Sequence, residues 1–196
     1  RRHILRVGGP RPVALTYGDD HDKLRADVAE FDGIIVLNQY LYDIFAPLHP
    51  NVHLIPNALD LSEWHPGPLP PADRPFTVGF AGNLSTTKEA HIKGFRFVNE
   101  ACEKMGLPLI KLSKGKDQIA REDMKEKFYG AIDCLIHPVA PGKEGCSNVV
   151  MEALSMGVPV LTTKAAGFHA EKIKDGDGIL YIERDTKKLI KRIEKL

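Results

Sequence analysis

The chain has 196 residues, enough for one large domain or one domain with a smaller companion. It is 43% hydrophobic and 27% charged, and 27 Lys and Arg against 26 Asp and Glu give a net charge of +1, which leaves no global electrostatic case for nucleic-acid binding. No signal peptide or bilayer-spanning apolar run is legible, and Cys102, Cys134 and Cys146 are odd in number without metal-site spacing; reduced thiols in a cytoplasmic protein, with any membrane contact peripheral, fit best.

In chain order, Ile4 to Val7 and Val13 to Thr16 read as short strands, and Asp20 to Glu30 as a helix with an acidic start. Gly33 to Leu37 reads as a buried strand, Gln39 to Phe45 as a helix stopped before Pro47, and Val52 to Ile55 as a further strand. The proline-rich run from His65 to Pro75 is stiff and poor in donors, and reads as a linker. After it the alternation is regular: strand Phe76 to Phe80, helix Gly94 to Met105, strand Leu109 to Leu112, helix Arg121 to Tyr129, strand Cys134 to His137. The pattern closes with helix Val149 to Met156, strand Val158 to Leu161, strand Gly178 to Tyr181 and the amphipathic helix Thr186 to Lys195. Strands alternating with helices predict an α/β fold with a parallel, Rossmann-like sheet covered on both faces. Ligands of such sheets bind beyond the carboxyl ends of the strands, where Gly82, Glu144 and Glu152 fall.

The segment from Glu144 through Gly145, Cys146, Ser147 and Asn148 to Glu152 is the most informative. Ser147 or Asn148 is a good N-cap, and Gly157 is placed to end the helix in the left-handed conformation. A glycine-containing loop thus delivers a helix N-terminus, whose unpaired N–H groups and positive dipole end suit a phosphate. Glu144 stands ahead of that terminus and Glu152 about one turn inside it. Phosphate on the dipole, with hydroxyls on two carboxylates, describes a nucleotide-sugar.

This segment resembles the E-x7-E signature of retaining glycosyltransferases of the GT-B fold, in particular their large family four. The resemblance implies that Glu144 contacts the donor sugar and that Glu152 binds the ribose. Cys146 stands where the family usually has Phe. Phe31 to Asn38 resembles the last strand of the family's N-terminal domain, Ile55 to Asp60 its I-P-N-G-V-D turn with Ala58 for Gly, and Trp64 the Phe that follows. Val78 to Leu84 resembles the strand and glycine loop that open the C-terminal domain. There Asn83 replaces an Arg, one of two cations on the donor diphosphate. The second is the Lys of a Lys-Gly pair opening the next helix, which Lys93-Gly94 fits better than Lys88. His137 and Pro138 precede the signature; His137 lies near the nucleotide or is a half-buried structural histidine. Ala166-Gly167, Glu171 and Asp175 to Leu180 resemble the later G-G…E…G-x-x-G pattern.

The resemblance implies a donor-binding GT-B C-terminal domain over 76–196, a linker over 65–75 and a partial N-terminal acceptor domain over 1–64. It implies sugar transfer from a nucleotide diphosphate sugar to a glycan, lipid or other hydroxyl acceptor with retention, and needs no metal and no cofactor beyond the donor. Glu144 and Lys93 are the candidate catalytic residues. Gly82, Asn83, Lys93, Glu144, Gly145, Cys146, Ser147, Asn148 and Glu152 are the candidate donor-binding set. No Asp-x-Asp motif lies near them. The family's N-domain histidine would fall at Gly18, with Asp19, Asp20 and His21 close by, so the expectation is nucleotide binding with slow or no transfer by the chain alone. The alternatives are a nucleotide-sugar-binding module inactive by itself and a GT-B-fold epimerase. The Lys-rich segment Lys187 to Lys195 suits docking on the protein through Leu189, Ile190, Ile193 and Leu196, with a membrane-surface role as the alternative.

Overall fold

A computed structural model describes residues 2–9, 13, 16–67, 71, 73–113, 118–144, 146–164 and 173–196. The chain divides into two compact units. The first takes in Arg1–Ala58, Pro141–Ser147 and Ala165–Ile173, and the second Leu59–Ala140, Asn148–Lys164 and Lys174–Leu196.

In the first unit, β1 (Ile4–Val7), β2 (Gly33–Val36) and β3 (Val52–Leu54) form a parallel sheet in that order. Ile4 stands opposite Gly33, and Ile34 opposite Val52. Helix α1 (His21–Val28) starts at Asp20, whose carboxylate accepts from the Lys23 amide, and α2 (Gln39–Phe45) starts at Asn38, which does the same for Leu41. Their inward residues Leu24, Val28, Leu41 and Phe45 meet Val7, Ile34 and Val36 of the sheet in one core. The expected strand from Val13 to Thr16 is not formed: Val13, Thr16 and Tyr17 are helical. Val13 and Tyr17 both pack on the core, and a spacing of four suits one face of a helix as well as one face of a strand, so the pattern alone does not separate the two.

In the second unit, β4 (Val78–Ala81), β5 (Leu109–Leu112), β6 (Cys134–His137), β7 (Val160–Thr162) and β8 (Ile179–Tyr181) form a parallel sheet in the order β5-β4-β6-β7-β8. Helices α3 (Thr87–Lys93), α4 (Phe95–Met105), α5 (Met124–Lys127), α6 (Asn148–Ser155) and α7 (Thr186–Ile193) connect or follow these strands. Helix α3 is additional to the elements expected from the sequence. The expected helix from Arg121 to Tyr129 is instead a 3-10 turn Arg121–Asp123, the short α5, and a second 3-10 turn Tyr129–Ala131. Phe128 and Tyr129 are both fully buried, at the junction where the short α5 gives way to the second 3-10 turn. Leu189 and Ile193 of α7 are buried in the core and Thr186 donates to Glu100 on α4 (2.7 Å), so the apolar face of α7 docks on the protein. Among the described residues no helix is long and apolar enough to cross a membrane.

Asp133 clasps the amino ends of β4 and β6. Its carboxylate accepts from Arg74 Nη1 (2.9 Å), Arg74 Nη2 (2.8 Å) and the Thr77 amide (2.6 Å), while its own amide donates to the Thr77 carbonyl (2.8 Å).

Candidate functional site

Ala81 is the last residue of β4, so Gly82 and Asn83 emerge at the carboxyl end of the sheet. Gly82 is closely covered by Lys93: a Cβ on Gly82 would stand 3.2 Å from Lys93 Cγ and 3.3 Å from Lys93 Cβ. Thus two residues that the sequence separates by a helix are neighbours. Lys93 closes α3 rather than opening a helix from a loop. Gly94 then takes the left-handed conformation (φ 73°), ending α3 and starting α4. A side chain at Gly94 would strike the Pro138 carbonyl oxygen at 2.4 Å. Together with the Ala140 amide, which donates to the Ile92 carbonyl (2.8 Å), this close approach ties the Lys93 backbone to the loop after β6. Asn83 uses its side-chain oxygen locally, accepting from the Ser85 amide (3.0 Å).

Helix α6 starts at Asn148 and ends as its sequence predicts. Gly157 has φ 76°, its amide donates to the Leu154 carbonyl (3.0 Å), and the Val158 amide donates to the Ala153 carbonyl (2.8 Å), which is a Schellman closure. Glu152 on this helix is only 5% exposed. The Tyr129 hydroxyl donates to Glu152 Oε2 at 2.7 Å, and Arg121 Nη1 lies 3.6 Å from Oε1. The Arg121 guanidinium also lies 5.4 Å from the Trp64 ring, with Lys125 5.7 Å from the same ring. Trp64 and Phe128 both meet the Tyr129 ring edge-on, at centroid distances of 5.9 Å and 5.0 Å. Burial, and next the Glu152 carboxylate, push the Tyr129 hydroxyl far above the ordinary phenol range, so it remains a donor. Sequence reasoning placed Glu152 but missed Tyr129, Arg121 and the burial of Trp64.

The remaining signature residues belong to the first unit. Glu144 and Cys146 are half-buried, Ser147 is buried, and Gly145 lies outside the described residues. The Cys146 carbonyl accepts from Asn57 Nδ2 (3.1 Å), and Asn57 Oδ1 accepts from Arg6 Nη2 (2.6 Å), so the I-P-N turn holds this loop. Gly18 is a turn residue with φ 55°, Asp20 serves as the cap of α1, and Asp19 and His21 are exposed. His137 is buried at the end of β6, and its carbonyl accepts from Thr162 Oγ1 (2.8 Å). Ala166, Gly167 and Glu171 lie outside the described residues. No three His, Cys, Asp or Glu side chains gather as metal ligands among the described residues.

Residues 114–196 match the family model described as glycosyl transferases group 1. No curated protein matches the chain. Among solved structures, HepE of Anabaena in complex with UDP and glucose is 15% identical, with a TM-score of 0.73 over 100% of this chain and 61% of that one. The pneumococcal O-GlcNAc transferase GtfA, in complex with UDP and GlcNAc, is 19% identical, with a TM-score of 0.60 over 98% of this chain and 43% of that one. A glycosyltransferase from Rickettsia africae is 12% identical, with a TM-score of 0.64 over 98% of this chain and 59% of that one. The chain therefore spans less than two thirds of these structures. It carries the Rossmann-like α/β fold of GT-B glycosyltransferases, and its C-terminal part matches the group 1 glycosyl transferase family.

Proposed function

We propose that this chain is a glycosyltransferase of the retaining, family-four type, taking a sugar from a nucleotide diphosphate donor to the hydroxyl of a glycan or lipid acceptor. The observation that carries the reading is the family match over 114–196, which includes the whole E-x7-E segment. The UDP and sugars named for HepE and GtfA support a UDP-sugar as the donor.

Transfer generates a diphosphate leaving group, so developing negative charge must be met by fixed donors and cations. In this reading, Lys93 and the first-turn amides of α6, from Ser147 and Asn148 onward, take the diphosphate, with Gly145 and Cys146 shaping the loop. Gly82, by lacking a side chain, lets the Lys93 stem lie against the end of β4 where the donor is placed, and Asn83 supplies a neutral hydrogen bond. Glu152 takes the ribose hydroxyls and Glu144 orients the donor sugar. The two carboxylates serve different halves of the donor, so they are not a hydrolase acid/base pair. The helix terminus and Lys93 neutralise the leaving group without a metal. The cytoplasm, with peripheral membrane contact when the acceptor is a lipid, is the proposed setting.

Calorimetry with UDP, GDP and ADP and their sugars tests the reading. Glu152→Ala should weaken nucleotide and donor alike by about 1.5–3 kcal/mol, while Glu144→Gln should spare the nucleotide and impair the sugar-dependent part or turnover. Donor binding should survive EDTA. Equal nucleotide affinity in Glu152→Ala and wild type would remove the ribose assignment.

A further inference from the structure

Glu152 is nearly enclosed, and its two oxygens stand in different surroundings. Oε2 accepts the 2.7 Å hydrogen bond from Tyr129, which is 1% exposed. Oε1 faces Arg121, whose side chain is 64% exposed and whose nitrogen lies 3.6 Å away, beyond hydrogen-bond length. One oxygen is therefore anchored from inside the fold, and the other is covered by a solvent-exposed cation. A carboxylate has about four acceptor positions, so Oε1 keeps capacity for hydroxyl donors while Oε2 fixes the plane of the group. Tyr129 cannot turn away easily, because its ring is held edge-on by Trp64 and Phe128. Its hydroxyl also lies 3.4 Å from the Val149 carbonyl, so it contacts α6 at two points one turn apart.

We propose that Tyr129 is a positioning residue for nucleotide recognition: it fixes the Glu152 carboxylate so that Oε1 meets a ribose diol. The proposal rests on the reading of Glu152 as the ribose-binding residue. A free carboxylate would rotate and would have to be ordered on binding, at a cost in affinity; here the ordering is done during folding. Arg121 balances the buried charge from the solvent side while the hydroxyls of the ligand bind.

The test is calorimetry of the full chain with UDP, GDP and ADP, each against its dideoxyribose form. The variant is Tyr129→Phe, which removes the hydroxyl and keeps the ring packed between Trp64 and Phe128. Wild type should prefer at least one ribonucleotide over its dideoxy form. Tyr129→Phe should lose about tenfold in affinity for that ribonucleotide and leave the dideoxy form unchanged. A merely structural role would weaken both ligands equally. Equal weakening, or an unchanged ribose preference in Tyr129→Phe, overturns the proposal while leaving Glu152 in place. A wild-type chain that binds no nucleotide, or shows no ribose preference, overturns both the proposal and the ribose assignment. Thermal unfolding checks that Tyr129→Phe is folded; if it is not, Tyr129→Met, which also lacks the hydroxyl and fills apolar space, is held to the same two outcomes.

Discussion

Gly82 and Lys93 are in contact because Gly82 has no side chain: a Cβ there would press the Lys93 stem at 3.2 Å and the buried Phe80 ring, also at 3.2 Å. Gly82 is not among the left-handed glycines, so a larger residue is opposed by space and not by backbone conformation. Gly82→Val should displace the Lys93 stem and cost about 1–3 kcal/mol of stability. If Lys93 meets the donor diphosphate, UDP affinity should fall by about tenfold while uridine affinity stays unchanged. Calorimetry with the two ligands checks this, and an unchanged UDP affinity in a destabilised Gly82→Val chain would separate Lys93 from the diphosphate.

The clasp at Asp133 predicts a stability effect remote from the proposed donor residues. Asp133 receives three hydrogen bonds at the amino ends of β4 and β6, and the partly buried Arg74 guanidinium supplies two of them. Asp133→Asn should destabilise the chain by about 2–4 kcal/mol, because it leaves a partly buried cation without its charge partner. Urea unfolding of Asp133→Asn, Arg74→Met and the double variant measures this. The double variant should lie closer to wild type than Asp133→Asn does, and additive losses would contradict the coupling.

Stability should fall in alkaline solution. Burial, with Glu103 adding, pushes the Cys102 thiol from its ordinary value of 9.0 up to about 11. The folded chain therefore keeps this proton in a range where the unfolded chain has lost it. The contribution is fully present below about pH 9 and is lost as pH rises through about 11. Cys134 shifts in the same direction, again mainly through burial. Urea midpoints compared on either side of that window should fall less steeply for Cys102→Ala than for wild type; equal slopes would show that Cys102 does not contribute.

Most strands and the parallel architecture were readable because each is a short apolar run bounded by breakers. Helix α6 was readable through its glycine stop, which forms as the residue pattern requires. The errors have local causes. Thr86-Thr87-Lys88-Glu89 is a capping-box pattern, and Thr86 Oγ1 accepts from the Glu89 amide (3.1 Å), so α3 carries its own start signal in the sequence. Val13 to Thr16 was too short for its period to separate strand from helix. The surroundings of Glu152 could not be read at all. Tyr129 and Arg121 reach it from a distant segment, and no spacing rule links a tyrosine to a carboxylate across β6.

The strand order of the larger sheet bears on when this protein becomes competent during its synthesis. Every pairing in it is parallel, so none can close as a hairpin. β4 pairs first with β5 through Val78 and Leu109, its other edge waits for β6, which pairs Val78 with Cys134, and β6 in turn waits for β7, which pairs Leu135 with Val160. Helix α6 lies in the crossover between those last two strands. A nascent chain that has not yet released Val160 from the ribosome has β6 but no completed crossover to seat Glu152 beside Tyr129. Such non-local closure is slow, and it places the maturation of the carboxylate among the late events of folding rather than the early ones.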